Sequence, residues 1–138
     1  MGRTPKDITD AELAVLEALW RRADATVKEL ATDLYPGGGN SEAATVQKLC
    51  ERLCAKGFAA RDRRSRPRRF RATVDRQELI GRQLQSVAER FCEGSFVPLV
   101  SHLFQRGALR ADEIRELKAH VERVARQRRG AERRKPEE

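Results

Sequence analysis

Apolar residues recur at helical spacing along most of the chain and set out a succession of helices. Leu13, Leu16, Leu19 and Trp20 form the inner stripe of the first. Thr9 is placed to cap the amide of Glu12, Glu12 to reach back to Thr9, and Ile8 to staple onto Leu13. Thr26-Val27-Lys28-Glu29 repeats the capping box and opens a second helix to about Leu34, with only a brief turn at Asp24 and Ala25 before it. Pro36 and Gly37–Gly39 stop that helix. A third helix is predicted over Glu42–Lys56, capped by Ser41 or Asn40 and ended by Gly57. Its apolar stripe, Val46, Leu49, Cys50, Leu53 and Cys54, amounts to one buried face.

The other face of the third helix carries Ser41, Ala44, Thr45, Gln47, Lys48 and Arg52. Small residues near the N-terminus, followed by hydrogen-bonding and basic ones, are what a helix needs to enter a major groove. Two short strands follow, joined by Arg64-Ser65-Arg66-Pro67. Three helices and a basic hairpin in about 70 residues is the order of a winged helix-turn-helix domain.

Beyond residue 74 the apolar pattern narrows to seams. Ile80, Leu84, Val87 and Phe91 form one. Leu99 and Leu103 belong to a short helix that is apolar on several sides, with Ser95 as a cap and Pro98 in its first turn. Ile114, Leu117, Val121 and Val124 form the seam of a last helix over Ala111–Arg128. So few apolar positions cannot enclose a core alone, and pairing with a second copy would bury them. The predicted fold is mostly α with a small β-hairpin. A DNA-binding winged helix spans 1–74, a helical dimerisation region 75–128, and a basic tail expected to be disordered 129–138.

Charge sharpens this picture. The 138 residues carry 29 Lys and Arg against 21 Asp and Glu, a net charge of +8, which favours a polyanionic partner. The excess is concentrated at Arg61, Arg63, Arg64, Arg66, Arg68, Arg69 and Arg71, seven arginines with the single Asp62 among them. Arginine forks engage phosphate oxygens in pairs, so the hairpin reads as a phosphate-contacting wing. Aromatic residues are only 5%, too few for the stacking that single-stranded nucleic acid demands. Two copies on a two-fold axis would read a palindromic operator in double-stranded DNA. The alternative is an RNA-associated or protein-adaptor module that uses the winged helix as a scaffold.

Catalytic chemistry is thinly represented. His102 and His120 fall in no metal or triad pattern, and no phosphate-binding glycine loop or zinc motif occurs. The expectation is a binding protein, not an enzyme, without cofactor or metal. Cys50 and Cys54 lie on the buried stripe and read as small core residues, and three cysteines without finger spacing suit a reducing cytoplasm. No segment is long and apolar enough for membrane insertion.

The ordered motifs resemble the BlaI/MecI penicillinase-repressor family. Ile8-Thr9-Asp10-Ala11-Glu12-Leu13 with Leu16 and Trp20 is similar to its opening, and Thr26-Val27-Lys28-Glu29-Leu30 to its second helix. Thr45-Val46-Gln47-Lys48-Leu49, Arg52-Leu53 and Lys56-Gly57 resemble its recognition helix. Arg90-Phe91, Gly94-Ser95 and Leu99-Val100 resemble its dimerisation region. The resemblance implies a dimeric winged-helix repressor on a dyad operator, and in one branch a membrane-bound sensor protease that triggers repressor cleavage. That branch has an Asn-Phe cleavage pair where this chain has His102-Leu103. Copper-responsive relatives have paired cysteines near the C-terminus, and none follows His120 here.

Overall fold

A computed structural model describes residues 7–134. The elements in chain order are α1 (Asp10–Arg22), β1 (Asp24–Thr26), α2 (Val27–Leu34), α3 (Asn40–Ala55), β2 (Ala59–Asp62), β3 (Arg69–Ala72), α4 (Arg76–Phe91), α5 (Val97–Gln105) and α6 (Ala111–Arg134). The chain divides into two compact units, one running through Gly94 and one from Ser95 onward.

Both capping boxes form. The Glu12 amide donates to Thr9 Oγ1 at 3.2 Å while Thr9 N donates to Glu12 Oε1 at 2.9 Å. Thr26 and Glu29 repeat the pair at 3.1 and 2.9 Å. Each box satisfies two amides that the first helical turn leaves open. The expected cap of α3 differs. Asn40 and Ser41 are already helical, and Gly39 is the capping residue, its amide donating to Glu42 Oε2 at 2.8 Å. A glycine cap offers no side chain, so the glutamate supplies the bond instead. At the other end Gly57 takes φ +82, Phe58 N reaches Leu53 O at 2.9 Å and Gly57 N reaches Cys54 O at 3.1 Å, which closes the helix.

The predicted two-stranded hairpin is one part of a three-stranded antiparallel sheet of order β1-β3-β2. Asp24 and Ala25, expected as a brief turn, join Thr26 in a strand that pairs with β3 in the register Asp24–Arg71, Ala25–Phe70, Thr26–Arg69. The strand is too short to have a period, and Thr26 serves both as its last residue and as the cap of α2. The core of this unit gathers Val15, Leu16 and Leu19 of α1, Leu30 of α2, Val46, Leu49, Cys50 and Leu53 of α3, with Phe58 and Phe70. Each fully buried side chain of this size contributes roughly 1.5–3 kcal/mol of transfer free energy.

α4 falls within the first compact unit, which runs through Gly94. Asp75 caps α4 through Glu78 N at 2.8 Å, Leu79 joins the core, and Ala88 is buried. Trp20 Nε1 donates to Val74 O at 2.8 Å just before the helix, and Arg76 stacks over the indole at 4.7 Å. Asp7, three residues before α1, adds a further tie. Asp7 accepts from Ser86 Oγ at 2.9 Å and pairs with Arg90 at 3.1 Å, while its carbonyl accepts from Lys56 Nζ at 2.6 Å.

In the second unit no residue of α5 or α6 is fully buried. α6 runs to Arg134, so the tail expected to be disordered from 129 is helical through 134, and residues 135–138 lie outside the described residues. The run from Arg128 to Arg134 contains one glycine and otherwise strong helix formers such as Arg, Ala and Glu, which carry the helix past the last apolar seam position. No helix among the described residues is long and apolar enough to cross a membrane.

Candidate nucleic-acid interface

α3 is held from its inner side. Val46, Leu49, Cys50 and Leu53 are buried, which fixes the rotation of the helix and turns Ser41, Ala44, Thr45, Lys48 and Arg52 into solvent. Gln47 is half-buried and donates to Glu51 Oε1 at 2.9 Å, and Thr45 Oγ1 returns to Ser41 O at 3.1 Å. Lys48 and Arg52 make no ion pair within the described residues. Burial pushes the Cys50 thiol up to about 12, with a smaller contribution from neighbouring Cys54 and Glu51. Burial also raises Cys54, against the pull of Arg61. Both are therefore protonated, unreactive packing residues at neutral pH.

A buried ion pair anchors the C-terminal end of α3. Lys56 Nζ lies 2.7 Å from Glu12 Oε1, and the Glu12 side chain is fully buried. Burial is the largest influence on this carboxyl and raises it. The hydrogen bond from Lys56, those from Thr9 and the Lys56 charge together outweigh burial and hold it below its ordinary value. Glu12 Oε2 has no hydrogen-bond partner. Lys56 was legible in the sequence only as part of a helix end; its partner is 44 residues away, and no local pattern marks the pair.

The wing is built by its one acid. Asp62 Oδ1 accepts from Arg64 N at 2.9 Å, and Ser65 Oγ donates to Asp62 O at 3.3 Å and accepts from Arg69 N at 3.0 Å. This Asx-type turn projects Arg63, Arg64, Arg66 and Arg68 into solvent. Arg61, Arg63, Arg66 and Arg68 line one open cleft. Arg61 also lies over the Phe70 ring at 5.9 Å, and Arg71 is exposed on β3.

Arg69 stands apart from the other six. It reaches Asp24 at 2.8 Å and Glu29 at 3.1 Å, and the Asp24 hydrogen bond is the main reason its guanidinium is raised above the ordinary value. It is thus tied to the body of the domain and braces the wing. Arg22 completes the network through Asp33 at 2.6 Å and Glu29 at 3.1 Å. The missed strand β1 supplies Asp24, so the sequence reading grouped Arg69 with the free arginines.

The seam residues face outward. Ile80, Leu84, Val87 and Phe91 of α4 are exposed, as are Leu103, Ile114, Leu117, Val121 and Val124, and Leu99 is half-buried. Among the described residues no three His, Cys, Asp or Glu side chains converge as a metal site would require.

Three helices packed on an antiparallel wing, with the third helix turning a small-and-basic face to solvent beside an arginine cluster, define a winged helix-turn-helix DNA-binding protein. The sequence signature of the penicillinase repressor family matches residues 8–123. The penicillinase repressor of Bacillus licheniformis is 26% identical over 117 residues, covering 85% of this chain and 90% of that protein. Among solved structures, oxidised MarR from E. coli has a TM-score of 0.45 at 22% identity, covering 88% of this chain and 78% of its own. A cysteine-to-serine mutant of MarR complexed with operator DNA has a TM-score of 0.44 at 22% identity, covering 87% and 77%. The chain belongs to the penicillinase repressor family, a family of DNA-binding transcriptional repressors and not of enzymes.

Proposed function

We propose that the protein represses transcription as a homodimer that occupies a palindromic operator. The observation that carries this reading is the two-sidedness of α3: one face is locked into the core, and the other is turned to solvent on a helix that contacts wing strand β2. In this reading Ser41, Ala44, Thr45, Gln47, Lys48 and Arg52 approach base edges in the major groove. Arg61, Arg63, Arg64, Arg66, Arg68 and Arg71 neutralise phosphates, and Arg69 positions the wing without contacting DNA.

The dimer is supported by what the single chain leaves uncovered. Among the described residues, every exposed large apolar side chain other than Tyr35 lies on α4 or beyond it. A second copy is the occupant that would cover these seams and set two recognition helices at a fixed spacing. Derepression by a membrane-bound sensor protease would require cutting within α5, where His102 and Leu103 both sit in helical turns. A protease that reads extended chain would have to unwind that helix first.

The test is selection of bound fragments from genomic DNA with purified protein, followed by titrations of two variants on the selected inverted repeat. Lys48→Ala should change sequence preference, with a loss of about 1–3 kcal/mol on the preferred site and little on random duplex. Arg68→Ala should weaken all duplexes alike and flatten the log–log salt slope by about one. Equal weakening of every duplex by both variants would refute readout by α3. Failure to enrich any shared inverted repeat from genomic DNA would refute the assignment of a palindromic operator.

A further inference from the structure

The last helix carries a basic stripe that neither the apolar seam nor the wing accounts for. Arg115, Lys118, Arg126, Arg129 and Arg133 follow one another along α6 at steps that keep them on one face, with Glu122 as the one acidic interruption. All five cations are exposed, and none has an ion-pair partner among the described residues. From Arg115 to Arg133 the helix rises about 27 Å, close to the length of eight base pairs of duplex.

Three ordinary explanations fall short. Favourable interaction with the helix dipole acts within the last turn, so it covers Arg133 but not Arg115, Lys118 or Arg126. Charges that serve a helix pair flank its seam. The seam Ile114, Leu117, Val121, Val124 has Lys118 beside it, whereas Arg115, Arg126, Arg129 and Arg133 lie on the outer side. A helix lying on an acidic membrane would need an apolar face along its length and basic residues on both flanks. Here the seam ends at Val124, the other flank mixes Glu113 and Glu116 with Arg123, and α6 has no aromatic residue. The stripe also extends past the family match, which ends at residue 123, so Arg126, Arg129 and Arg133 lie outside it.

We infer that the basic face of α6 is a second, sequence-independent binding surface for the phosphate backbone of duplex DNA, separate from α3 and the wing. It presupposes the duplex binding proposed for those elements. The phosphates it takes belong either to DNA flanking the operator or to a second duplex.

The experiment compares the full chain with a variant carrying Arg115→Gln, Lys118→Gln, Arg126→Gln, Arg129→Gln and Arg133→Gln, substitutions that preserve helix propensity. Two probes carry the same selected site, one of 24 base pairs and one of 60. With the flank as source, the wild type should bind the long probe at least tenfold more tightly at low salt. The variant should lose that advantage, reduce the salt slope on the long probe by about two per protomer, and match the wild type on the short probe. With a second duplex as source, the two probes should bind alike, and the wild type alone should bring donor- and acceptor-labelled short duplexes together by energy transfer. A charge-preserving variant with Lys at the four arginine positions should behave as wild type, and circular dichroism of both variants checks that α6 is intact. Identical behaviour of wild type and the Gln variant on both probes and in the bridging assay would overturn the inference, as would stripe-dependent binding to phosphatidylserine vesicles with no effect on DNA. Loss of the short-probe complex in the wild type would instead refute operator binding through α3 and the wing.

Discussion

Lys56→Ala isolates a single buried charge. The substitution removes the cation from Glu12, whose carboxylate is fully buried and whose Oε2 already lacks a partner. Breaking a buried ion pair from one side costs about 3–5 kcal/mol, because the remaining charge is left uncompensated. Lys56 is itself 20% exposed, so water can partly replace it, and the expected loss at pH 7 is about 2–3 kcal/mol. The direction with pH is the sharper part. In the wild type the folded carboxyl titrates below its unfolded value. Its stabilisation is present above the unfolded pKa of about 4.3 and is lost as pH falls through the lower, folded value. In Lys56→Ala burial acts with much less opposition, and the folded carboxyl should rise above the unfolded value. Its penalty is then full at pH 7 and fades as protonation neutralises the group. The gap between variant and wild type should therefore narrow from pH 7 to pH 4. Urea unfolding at fixed protomer concentration, followed by far-ultraviolet circular dichroism, measures it directly. Glu12→Gln combined with Lys56→Met should recover most of the loss, since no charge is then stranded. A gap that stays constant or widens on acidification would refute the buried-charge account and leave only lost packing of the lysine stem.

Three further outcomes follow from the same structure. Leu84→Glu with Phe91→Glu, both on the exposed face of α4, should convert the proposed dimer to monomer by sedimentation at micromolar concentration while leaving the helical signal of the first unit in place. Gly57→Ala should destabilise by about 1 kcal/mol in the same urea assay, because φ is +82 and an added Cβ would meet nothing within 4 Å, so the cost is backbone strain alone. Ellman titration at pH 8 should leave Cys50 unlabelled until urea opens the domain, since its thiol is buried and titrates near 12.

The sequence announced those elements whose signal is local. Thr9 with Glu12 and Thr26 with Glu29 are capping boxes within one helical turn, and both form as written. The α3 stripe from Val46 to Leu53 has an unbroken helical period, and Gly57 follows it where a left-handed residue is required. What escaped depends on distant partners. β1 is three residues long and exists because β3 lies beside it. Arg69 looks like any other wing arginine until that pairing brings Asp24 to it. The attachment of α4 to the first unit rests on Leu79 reaching the core and on Asp7 reaching Ser86, contacts with no periodic trace. The outward face of α3 was visible as charge, but only burial of the α3 stripe settles which of its residues meet solvent.

Asp7 gives the first unit a mechanical property. One residue joins the end of α3, through its carbonyl and Lys56, to the far half of α4, through Ser86 and Arg90. α4 is thereby clamped at both ends, by Leu79 near its start and by Asp7 near its finish. In a dimer joined along the outer side of α4, any tilt of that helix would be handed on to the probe it holds in the groove. The pairing surface would then act as a gauge, admitting only operators whose half-sites match a separation set inside each protomer.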